Sequence, residues 1–411
     1  MSITRLLARG VGPFEQLDLN FAGADGKPDP GPHVLIGASG AGKTTALRAL
    51  CWVLAGTEGC GFPLGDFRHA MAGRASSSAA VVFGGDAEGQ EIQLAGRGTD
   101  EAAAHALWLN NTLGHLSMPY QPAAHGYVYG GEAYLWASSR ESGNLRRPVR
   151  RVPLRRLAAA YSAQPALKFL ADPRAATEAA TLDTSLSFDA TVENAIVQSW
   201  LVTVFTKSAL AAKQGLPGSR YEVSLRRFEQ ALRTIFDEDV WVGIDYEETL
   251  QPLLCWRGRR LNMAQLPDGV RTIMGWLADF MIRQERDGTD QGVLMIDEVD
   301  AHCHPAWQAR ILPALRTVFP DVQIIVSTHS PHVMNSCPDA RVHLLEMCAA
   351  GQSRALAAQD GYGPARLTNL CNALLSDQSA AGEVASTSPA APSTSQSPVP
   401  RRLAGGLARA S

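Results

Sequence analysis

Eight consecutive residues near the N-terminus have the spacing of a phosphate-binding loop. The sequence Gly-Ala-Ser-Gly-Ala-Gly-Lys-Thr runs from Gly37 to Thr44. Glycines let the backbone curl so that consecutive N–H groups point at phosphate oxygens, and the helix that follows adds its positive end. Lys43 is expected to contact the β- and γ-phosphates, and the Thr44 hydroxyl to bind Mg²⁺. The predicted cofactors are ATP and Mg²⁺, with the nucleotide bound by Gly37, Ala38, Ser39, Gly40, Ala41, Gly42, Lys43, Thr44 and Thr45.

Two adjacent carboxylates follow the short apolar run Val293–Ile296. Such a run is typical of a buried parallel strand, and ligands of α/β sheets bind at the carboxyl ends of strands. An acidic pair after an apolar run is common, and alone it indicates a surface turn. Together with a phosphate loop upstream, it predicts that Asp297 holds Mg²⁺ with Thr44 and that Glu298 is catalytic, polarising the attacking water.

A histidine follows the next apolar run, Val322–Val326, within Ser327-Thr328-His329-Ser330. A lone histidine is more often structural. Here it is expected one strand beyond the carboxylate pair, so that its ring reaches both the γ-phosphate and the attacking water. His329 is therefore the second predicted catalytic residue, in the role of a γ-phosphate sensor.

Composition limits the class of protein. The chain has 411 residues, 45% of them hydrophobic, with 37 Lys and Arg against 40 Asp and Glu. This balance excludes a mainly disordered chain and leaves room for two to three domains. Seven cysteines without a Cys-x-x-Cys pair indicate neither a zinc knuckle nor a disulfide framework. Arginines interrupt the N-terminus, and no later run has the length of a bilayer span, so we expect a cytoplasmic protein without a membrane partner.

The apolar patterning predicts an α/β fold. Leu17, Leu19 and Phe21 alternate with polar residues, as in a half-buried strand, and the earlier Ile3–Ala8 is expected to pair with it. Helical spacing prevails in the middle of the chain and again between the two late strands. The predicted division is an N-terminal ATPase lobe at 1–140, a helical insertion at 141–230, a C-terminal lobe at 231–350 and an extension at 351–411, disordered from about 376.

The order of these motifs resembles that of the ATP-binding-cassette (ABC) ATPases of the SMC and RecF type, within the P-loop NTPases. Asp297 to Pro305 and Ser327 to Pro331 are similar to one bacterial branch of AAA-like ATPases, which includes the ATPase subunit of Septu anti-phage systems, also found beside some retrons. The good matches cover residues 1–56 and 261–346. The resemblance implies an ABC-ATPase head with a mixed sheet.

Partners also follow from the resemblance. It implies that two heads bind ATP head-to-tail, as a dimer or within a higher oligomer, with Asp300 in the D-loop that crosses the dimer interface. It also implies a separate nuclease of the HNH type. His302 and His304 have metal-ligand spacing but match a structural His-x-His-Pro of the family.

The chain departs from the family at its signature. Where the family has Leu-Ser-Asp-Gly, this chain has Leu266-Pro267-Asp268-Gly269. Pro267 has neither a hydroxyl nor an N–H to offer the γ-phosphate of the opposite subunit, so that contact must depend on Gly269 and the helix N-terminus. ATP-driven dimerisation is therefore expected to be weaker than usual. The nearest candidate for the family's Q-loop glutamine is Gln121.

Six arginines are concentrated in one proline-broken segment, namely Arg146, Arg147, Arg150, Arg151, Arg155 and Arg156. They are a candidate contact for the phosphates of DNA or RNA. The alternatives are a solvated face or a docking patch for an acidic partner.

These features predict an ATPase that acts as a conformational switch or sensor in a prokaryotic anti-phage complex. About 80 residues follow His329, too few for an added nuclease domain of ~100 residues, so cleavage would belong to a partner. Three alternatives remain: a RecF-like DNA-repair ATPase, a nucleotide-gated binding module with little turnover, and a transporter subunit. The transporter is disfavoured because the chain lacks its Ser-Gly-Gly-Gln signature.

Overall fold

The computed structural model of the chain contains seventeen strands and six α-helices within the residues that it describes. The described residues are 2–23, 25–29, 31–55, 77–86, 89–97, 124–129, 132–137, 157–162, 167–168, 186, 192–216, 218–247, 250–347 and 352–355. The strands are β1 (Ile3–Val11), β2 (Phe14–Asn20), β3 (His33–Gly37), β4 (Ser77–Asp86), β5 (Gly89–Arg97), β6 (Ala124–Tyr129), β7 (Glu132–Ala137), β8 (Ala158–Tyr161), β9 (Leu167–Lys168), β10 (Val192–Glu193), β11 (Val240–Asp245), β12 (Gln251–Trp256), β13 (Arg259–Asn262), β14 (Gly292–Ile296), β15 (Val322–Ser327), β16 (Arg341–Met347) and β17 (Ser353–Ala355). The helices are α1 (Lys43–Ala55), α2 (Asn194–Lys213), α3 (Arg220–Phe236), α4 (Asp268–Asp287), α5 (Pro305–Val318) and α6 (Pro331–Asn335).

Twelve of the strands form one mixed sheet in the order β7-β6-β5-β4-β1-β2-β17-β16-β3-β15-β14-β8. The half that begins at β7 is antiparallel, as expected of strands joined by hairpins. In the other half, β16, β3, β15, β14 and β8 run parallel to one another. The predicted N-terminal hairpin is present, since β1 and β2 pair antiparallel with Val11 opposite Phe14.

The central parallel strands are buried on both faces, which explains their continuous apolar runs. Alternate residues of β3 belong to two different hydrophobic cores: Val34 and Ile36 to one, Leu35 to the other. The first core includes buried residues of α2, α3, α4 and α5, and the second includes those of α1, β1 and β2. The sheet is therefore the middle layer of an α/β architecture, as the patterning predicts.

Two helices occupy the predicted helical insertion, but one strand of the main sheet also lies within its bounds. β8 pairs with β14 in parallel register, Tyr161 opposite Ile296. Only the later part of 141–230, from α2 onward, is helical in the part of the chain that the structure describes. The tail from about residue 376 lies outside the described residues.

Among the described helices, only the segment Ala195–Lys213 of α2 has the length and composition that could cross a membrane. Its mean hydropathy is 1.3. One face of this helix packs into a hydrophobic core, and 28% of the segment is buried. Val197, Leu201 and Val204 are fully or almost fully buried in the core shared with α3 and α4. Trp200 donates from its indole nitrogen to Glu285 of α4 at 3.0 Å.

A buried polar network joins two strands, β1 and β15, that are not neighbours in the main sheet. Four strands separate β1 from β15, yet the Gln323 side chain accepts from the Ile3 N–H at 2.7 Å and donates to the Ile3 carbonyl at 2.8 Å. The Gln323 amide nitrogen also lies 3.4 Å from His33 Nε2, and His33 Nδ1 lies 3.2 Å from His343 Nε2. Because the amide nitrogen can only donate, His33 Nε2 accepts from it, and His33 Nδ1 carries the proton shared with His343.

This chain of hydrogen bonds requires both histidines to be neutral. Burial lowers the pKa of His33 to about 4, with Asp29 opposing the shift and Arg341 adding to it. Burial also lowers the pKa of His343, and the charges of His33 and Arg341 lower it further. An unfolded chain takes up protons near pH 6.5 that the folded chain refuses, so acid must destabilise the fold.

We therefore expect stability to fall as pH decreases from about 6.5 towards 4, by about 1.4 kcal/mol per pH unit for each neutral histidine. His343→Gln keeps a polar side chain but removes one titrating group. Its free energy of unfolding in urea should change less between pH 7.5 and 5.5 than that of the wild type, by about 1 kcal/mol. The matched control is His332→Gln at an exposed position, which should keep the wild-type dependence. Identical pH profiles for wild type and His343→Gln would contradict the network.

Candidate functional site

Three neighbouring parallel strands bring the predicted motifs to one edge of the main sheet. β15 lies between β3 and β14, with Val326 opposite both Val34 and Ile296. Since parallel strands end at the same edge, the loop after β3, the carboxylates after β14 and His329 after β15 share that edge. Residues more than 250 positions apart in the sequence therefore meet through strand order alone.

The loop from Gly37 to Gly42 has the tight backbone that phosphate binding requires. Gly42 adopts φ +94°, and a Cβ there would lie 2.5 Å from the ring of Phe14, so only glycine fits. Helix α1 begins at the next residue, Lys43, whose ammonium donates to the carbonyls of Gly37 at 2.9 Å and Ala38 at 3.0 Å. The lysine is thus folded over its own loop, beside the positive end of the helix.

The electrostatics show that Lys43 faces the carboxylates. Burial lowers its pKa, while the negative charges of Asp297, Glu298 and Asp300 act to raise it. One ammonium thus faces three acidic side chains. The excess of negative charge is what a divalent cation would neutralise, and a hydroxyl with carboxylate oxygens is the ligand set that Mg²⁺ prefers.

Ser327 connects the ends of β14 and β15. Its hydroxyl donates to Asp297 Oδ1 at 2.5 Å and accepts from the Glu298 N–H at 2.8 Å. The Asp297 N–H in turn donates to the Tyr161 carbonyl of β8 at 2.8 Å. Asp297, only 6% exposed, is therefore oriented from both neighbouring strands, through its Oδ1 and its backbone N–H.

Glu298 lies where the chain leaves the sheet. Its φ of +48° is in the left-handed region, which costs a non-glycine residue about 1 kcal/mol or more. This turn exposes its side chain, whereas Asp297 stays buried. Burial of the carboxyl group, followed by the charges of Asp297 and Asp300, raises the pKa of Glu298. A carboxylate of raised basicity, open to water, can serve as a general base.

His329 is half-buried on the other side of the site. Burial lowers the pKa of its ring, and the Lys43 ammonium lowers it further, against the opposing charges of Asp300 and Asp297. A neutral imidazole at pH 7 can both donate and accept. The structure thus brings together Lys43, Asp297, Glu298, Asp300 and His329.

The residues that flank His329 were missed by reasoning from the sequence. Thr328 donates from its hydroxyl to Asp300, and the Ser330 hydroxyl donates to Gln308 Oε1 at 2.6 Å. Gln308 in turn donates to the backbone carbonyls of Asp300 and Cys303. A signal was available, because three hydroxyl residues at a strand end are well suited to bind a neighbouring acidic loop.

The predicted signature lies at the start of α4. Pro267 is the residue that precedes the helix rather than one in its first turn, and it makes no side-chain cap. Gly269 is buried against the loop after β14, where an added Cβ would lie 2.3 Å from the His302 carbonyl oxygen. This glycine therefore has a role within one chain, besides any contact with a second copy. His304 caps α5 by accepting from the Ala306 N–H at 3.3 Å, which is a structural role.

A buried triad links α4 to β8. The Tyr161 hydroxyl donates to Asp279 Oδ2 at 2.6 Å, and Arg283 Nε donates to the same oxygen at 2.7 Å. Asp279 and Arg283 are 1% and 3% exposed. A charged pair at this depth is destabilising unless each charge keeps its hydrogen-bond partners. The triad therefore holds α4, which begins at the predicted signature, in a fixed position against β8.

The Q-loop prediction and the basic segment fall outside the described residues, which exclude Gln121 and all six arginines between 146 and 156. The glutamine of the Q-loop and the basic segment therefore stay predictions.

Two family descriptions match parts of the chain. Residues 5–103 match a family described as an AAA domain. Residues 257–335 match one described as "AAA domain, putative AbiEii toxin, Type IV TA system". The two matches include the phosphate loop and the segment with Asp297, Glu298 and His329, respectively.

Several curated relatives match over short stretches. "Retron Ec83 probable ATPase" of Escherichia coli is 38% identical over 95 residues, which are 21% of this chain and 17% of the relative. "Septu protein PtuA" of Bacillus mycoides (strain KBAB4) is 30% identical over 122 residues, 28% of this chain and 17% of the relative. "Retron Vc95 probable ATPase" of Vibrio cholerae serotype O1 biovar El Tor is 27% identical over 124 residues, which are 28% of this chain and 24% of the relative. The aligned regions thus span less than a quarter of each relative's length.

A solved SMC head, bound to the C-terminal winged-helix domain of ScpA, superposes with a TM-score of 0.50 at 14% identity. The superposition covers 88% of this chain and 98% of that one, and it shows the fold alone. The predicted fold class, an α/β ABC-ATPase head, is confirmed. The chain resembles SMC/RecF-like AAA ATPases, including the Septu and retron proteins, as its motifs predict.

We expect Gly269→Ala to destabilise the protein by a few kcal/mol, because the new methyl group would meet the His302 carbonyl. In an unconstrained helix the same change stabilises by up to about 1 kcal/mol, so the sign of the effect is diagnostic. The measurement is the free energy of unfolding in urea. A Gly269→Ala variant as stable as the wild type would contradict this close packing.

Proposed function

We propose that the protein is an ATPase of the ABC type, which binds ATP with Mg²⁺ and hydrolyses it to ADP and phosphate. The observation that carries the proposal is the convergence of Lys43, Asp297, Glu298 and His329 at one edge of the parallel strands. The residues come from three separate stretches of sequence, and the electrostatic surroundings of Lys43, Glu298 and His329 suit their proposed roles.

The residues fit a magnesium-bound triphosphate. The backbone N–H groups from Gly37 to Gly42 and the start of α1 would hold the phosphates, with Lys43 leaving its own loop carbonyls to contact them. Thr44 and Asp297 would hold the metal ion. When bound, Mg²⁺ neutralises charge that develops on the phosphates.

Two side chains would carry the hydrolytic step. Glu298, with its raised pKa, accepts a proton from the attacking water and holds that water in line. His329, which is neutral, donates a hydrogen bond to the γ-phosphate from the neighbouring strand end. Ser327 orients both acidic residues, because its hydroxyl binds the Asp297 carboxylate and the Glu298 backbone N–H.

We further propose that two copies bind ATP head-to-tail, each presenting Gly269 and the N-terminus of α4 to the other's nucleotide, with Asp300 at the interface. The dimer would act as a conformational switch or sensor in a prokaryotic anti-phage complex, with cleavage supplied by a separate HNH-type nuclease. The matches to proteins named for Septu and for retrons support this assignment. The proposed site of action is the cytoplasm.

A turnover assay tests the catalytic assignment. Removing the general base should lower the hydrolysis rate of Glu298→Gln at least a hundredfold, while ATP still binds. Lys43→Ala should lose ATP binding itself. The readouts are phosphate release and binding of a fluorescent ATP analogue.

The matched control is Glu346→Gln, which changes a carboxylate on β16 that pairs with Arg354. It should hydrolyse ATP at the wild-type rate. Equal rates for wild type and Glu298→Gln would overturn the assignment of the base. Failure of the wild type to bind ATP would overturn the proposed function.

A second candidate function is a nucleotide-gated binding module with little turnover, which the uncapped Pro267 favours. A serine at this position can accept from the helix N–H groups and donate to a phosphate across the dimer. In the background of Glu298→Gln with MgATP, Pro267→Ser should therefore tighten dimerisation about tenfold, the value of one hydrogen bond to a charged group. Sedimentation velocity gives the dimer constant.

Stability should change little in Pro267→Ser, because the new cap, about 1 kcal/mol, is offset by the loss of proline's stiffness. The control is Pro320→Ser, another exposed proline, which should leave dimerisation unchanged. An unchanged dimer constant for Pro267→Ser would show that position 267 has no part in the contact between heads.

A further inference from the structure

A cavity that shares no lining residue with the nucleotide motifs lies on the three-stranded sheet formed by β11, β12 and β13. Its volume is about 450 Å³, and it is lined by Trp241, Cys255, Arg259 and Arg260 together with the Glu238–Asp239 turn and the tip of the β12–β13 hairpin. The opposite face of this sheet packs into the main core through Val242 and Leu254. The cavity therefore opens on the outer face.

Trp241 forms a flat apolar platform on that face. It is 41% exposed, a high value for so large an aromatic side chain. A Cβ added at Gly243 would lie 3.2 Å from the Trp241 ring and 3.5 Å from the Cys255 sulfur. The indole thus lies across the glycine, close to the sheet, and leaves its other side to solvent.

Arg260 shares the face with this platform. Cys255 pairs with Trp241 on one side and with Arg260 on the other, so all three side chains point the same way. Two strand spacings of about 4.8 Å separate the backbones of Trp241 and Arg260 by about 10 Å. A long arginine side chain can span that gap to a phosphate whose base is stacked on the indole.

The two acidic residues at the cavity are already engaged by other arginines. Glu238 receives a two-pronged contact from Arg257, at 2.7 Å from Nε and 2.5 Å from Nη2. Asp239 lies 3.4 Å from Arg233. Among the residues that the structure describes, Arg259 and Arg260 have no acidic partner, and both are exposed. Both arginines line the cavity; Arg260 lies on the same sheet face as the indole, and Arg259, opposite Trp256, reaches the cavity from the edge of the hairpin.

We propose that this cavity binds single-stranded nucleic acid, with a base stacked on Trp241 and the backbone phosphates held by Arg260 and Arg259. Aromatic platforms flanked by arginines are suited to unpaired bases, which present a π-face that a duplex hides. An acidic peptide would use the two arginines but leave the platform unexplained. None of the residues that line the cavity belongs to the basic segment between residues 146 and 156.

The test is fluorescence anisotropy with labelled oligothymidylate and oligouridylate of about 15 nucleotides, the upper size of a single compact site. The two probes distinguish DNA from RNA. Trp241→Ala should weaken binding at least fivefold, the lower value of one stacked base. Arg260→Gln should weaken binding and reduce the slope of log affinity against log salt by about 0.7, the loss of one phosphate contact on a single strand.

Two matched controls are Tyr246→Ala, another exposed aromatic at the far end of β11, and Arg226→Gln, an exposed arginine on α3. Both should bind as the wild type does. The proposal is overturned if neither oligonucleotide binds, or if Trp241→Ala binds as tightly as the wild type. It is also overturned if polyglutamate displaces the probe equally well from the wild type and from Trp241→Ala. The surface would then recognise acidic chains through its charges alone.

Binding of the fluorescent ATP analogue gives an independent readout. Trp241→Ala and Arg260→Gln should retain it, since neither residue contacts the phosphate loop. Loss of oligonucleotide binding with ATP binding intact supports the second site. A wild type that binds oligonucleotide but not ATP would reject the proposed ATPase function and leave this inference standing.

Discussion

The hydroxyl of Ser327 is the contact on which the nucleotide site depends. It is fully buried, and it binds both a carboxylate oxygen of Asp297 and the backbone N–H of Glu298. Without it, a buried acceptor and a buried donor would lack partners, each at a cost of about 1–3 kcal/mol. Glu298 could then relax from its left-handed backbone, and the carboxylate expected to act on water would leave its place. The strand order supplies proximity, and this hydrogen bond supplies orientation.

A second set of contacts joins the site to the signature helix. Tyr161 belongs to the strand beside Asp297, and its hydroxyl binds the Asp279–Arg283 pair in the middle of α4. The same helix begins with Gly269 packed against the His302 backbone. α4 is therefore held at its start and at its centre by elements that also position the carboxylates. In the proposed dimer, a displacement of α4 by the second copy would reach the elements on both sides of Asp297, as the proposed switch requires.

Much of this arrangement was predictable from the sequence because it depends on local spacing. The loop ending at Lys43, the strand before Asp297 and the strand before His329 are each defined within about ten residues, and all three lie where their patterns indicate. Tertiary features were not predictable. β8 has only four residues, three of them alanine. Its place beside β14 depends on packing that no short stretch of sequence reveals.

The charges at the site favour binding of a triphosphate together with a metal ion over binding of a triphosphate alone. Lys43 is the one ammonium that faces Asp297, Glu298 and Asp300 in the described structure, and it is tied to its own loop carbonyls. A triphosphate approaching alone would add negative charge to a site that already has an excess of it. A metal ion held by Thr44 and Asp297 would supply compensating positive charge, and Lys43 could then leave its carbonyls for the phosphate oxygens. Burial raises the pKa of Glu298, and the charges of Asp297 and Asp300 raise it further, so part of the basicity of the proposed base comes from the same negative charge.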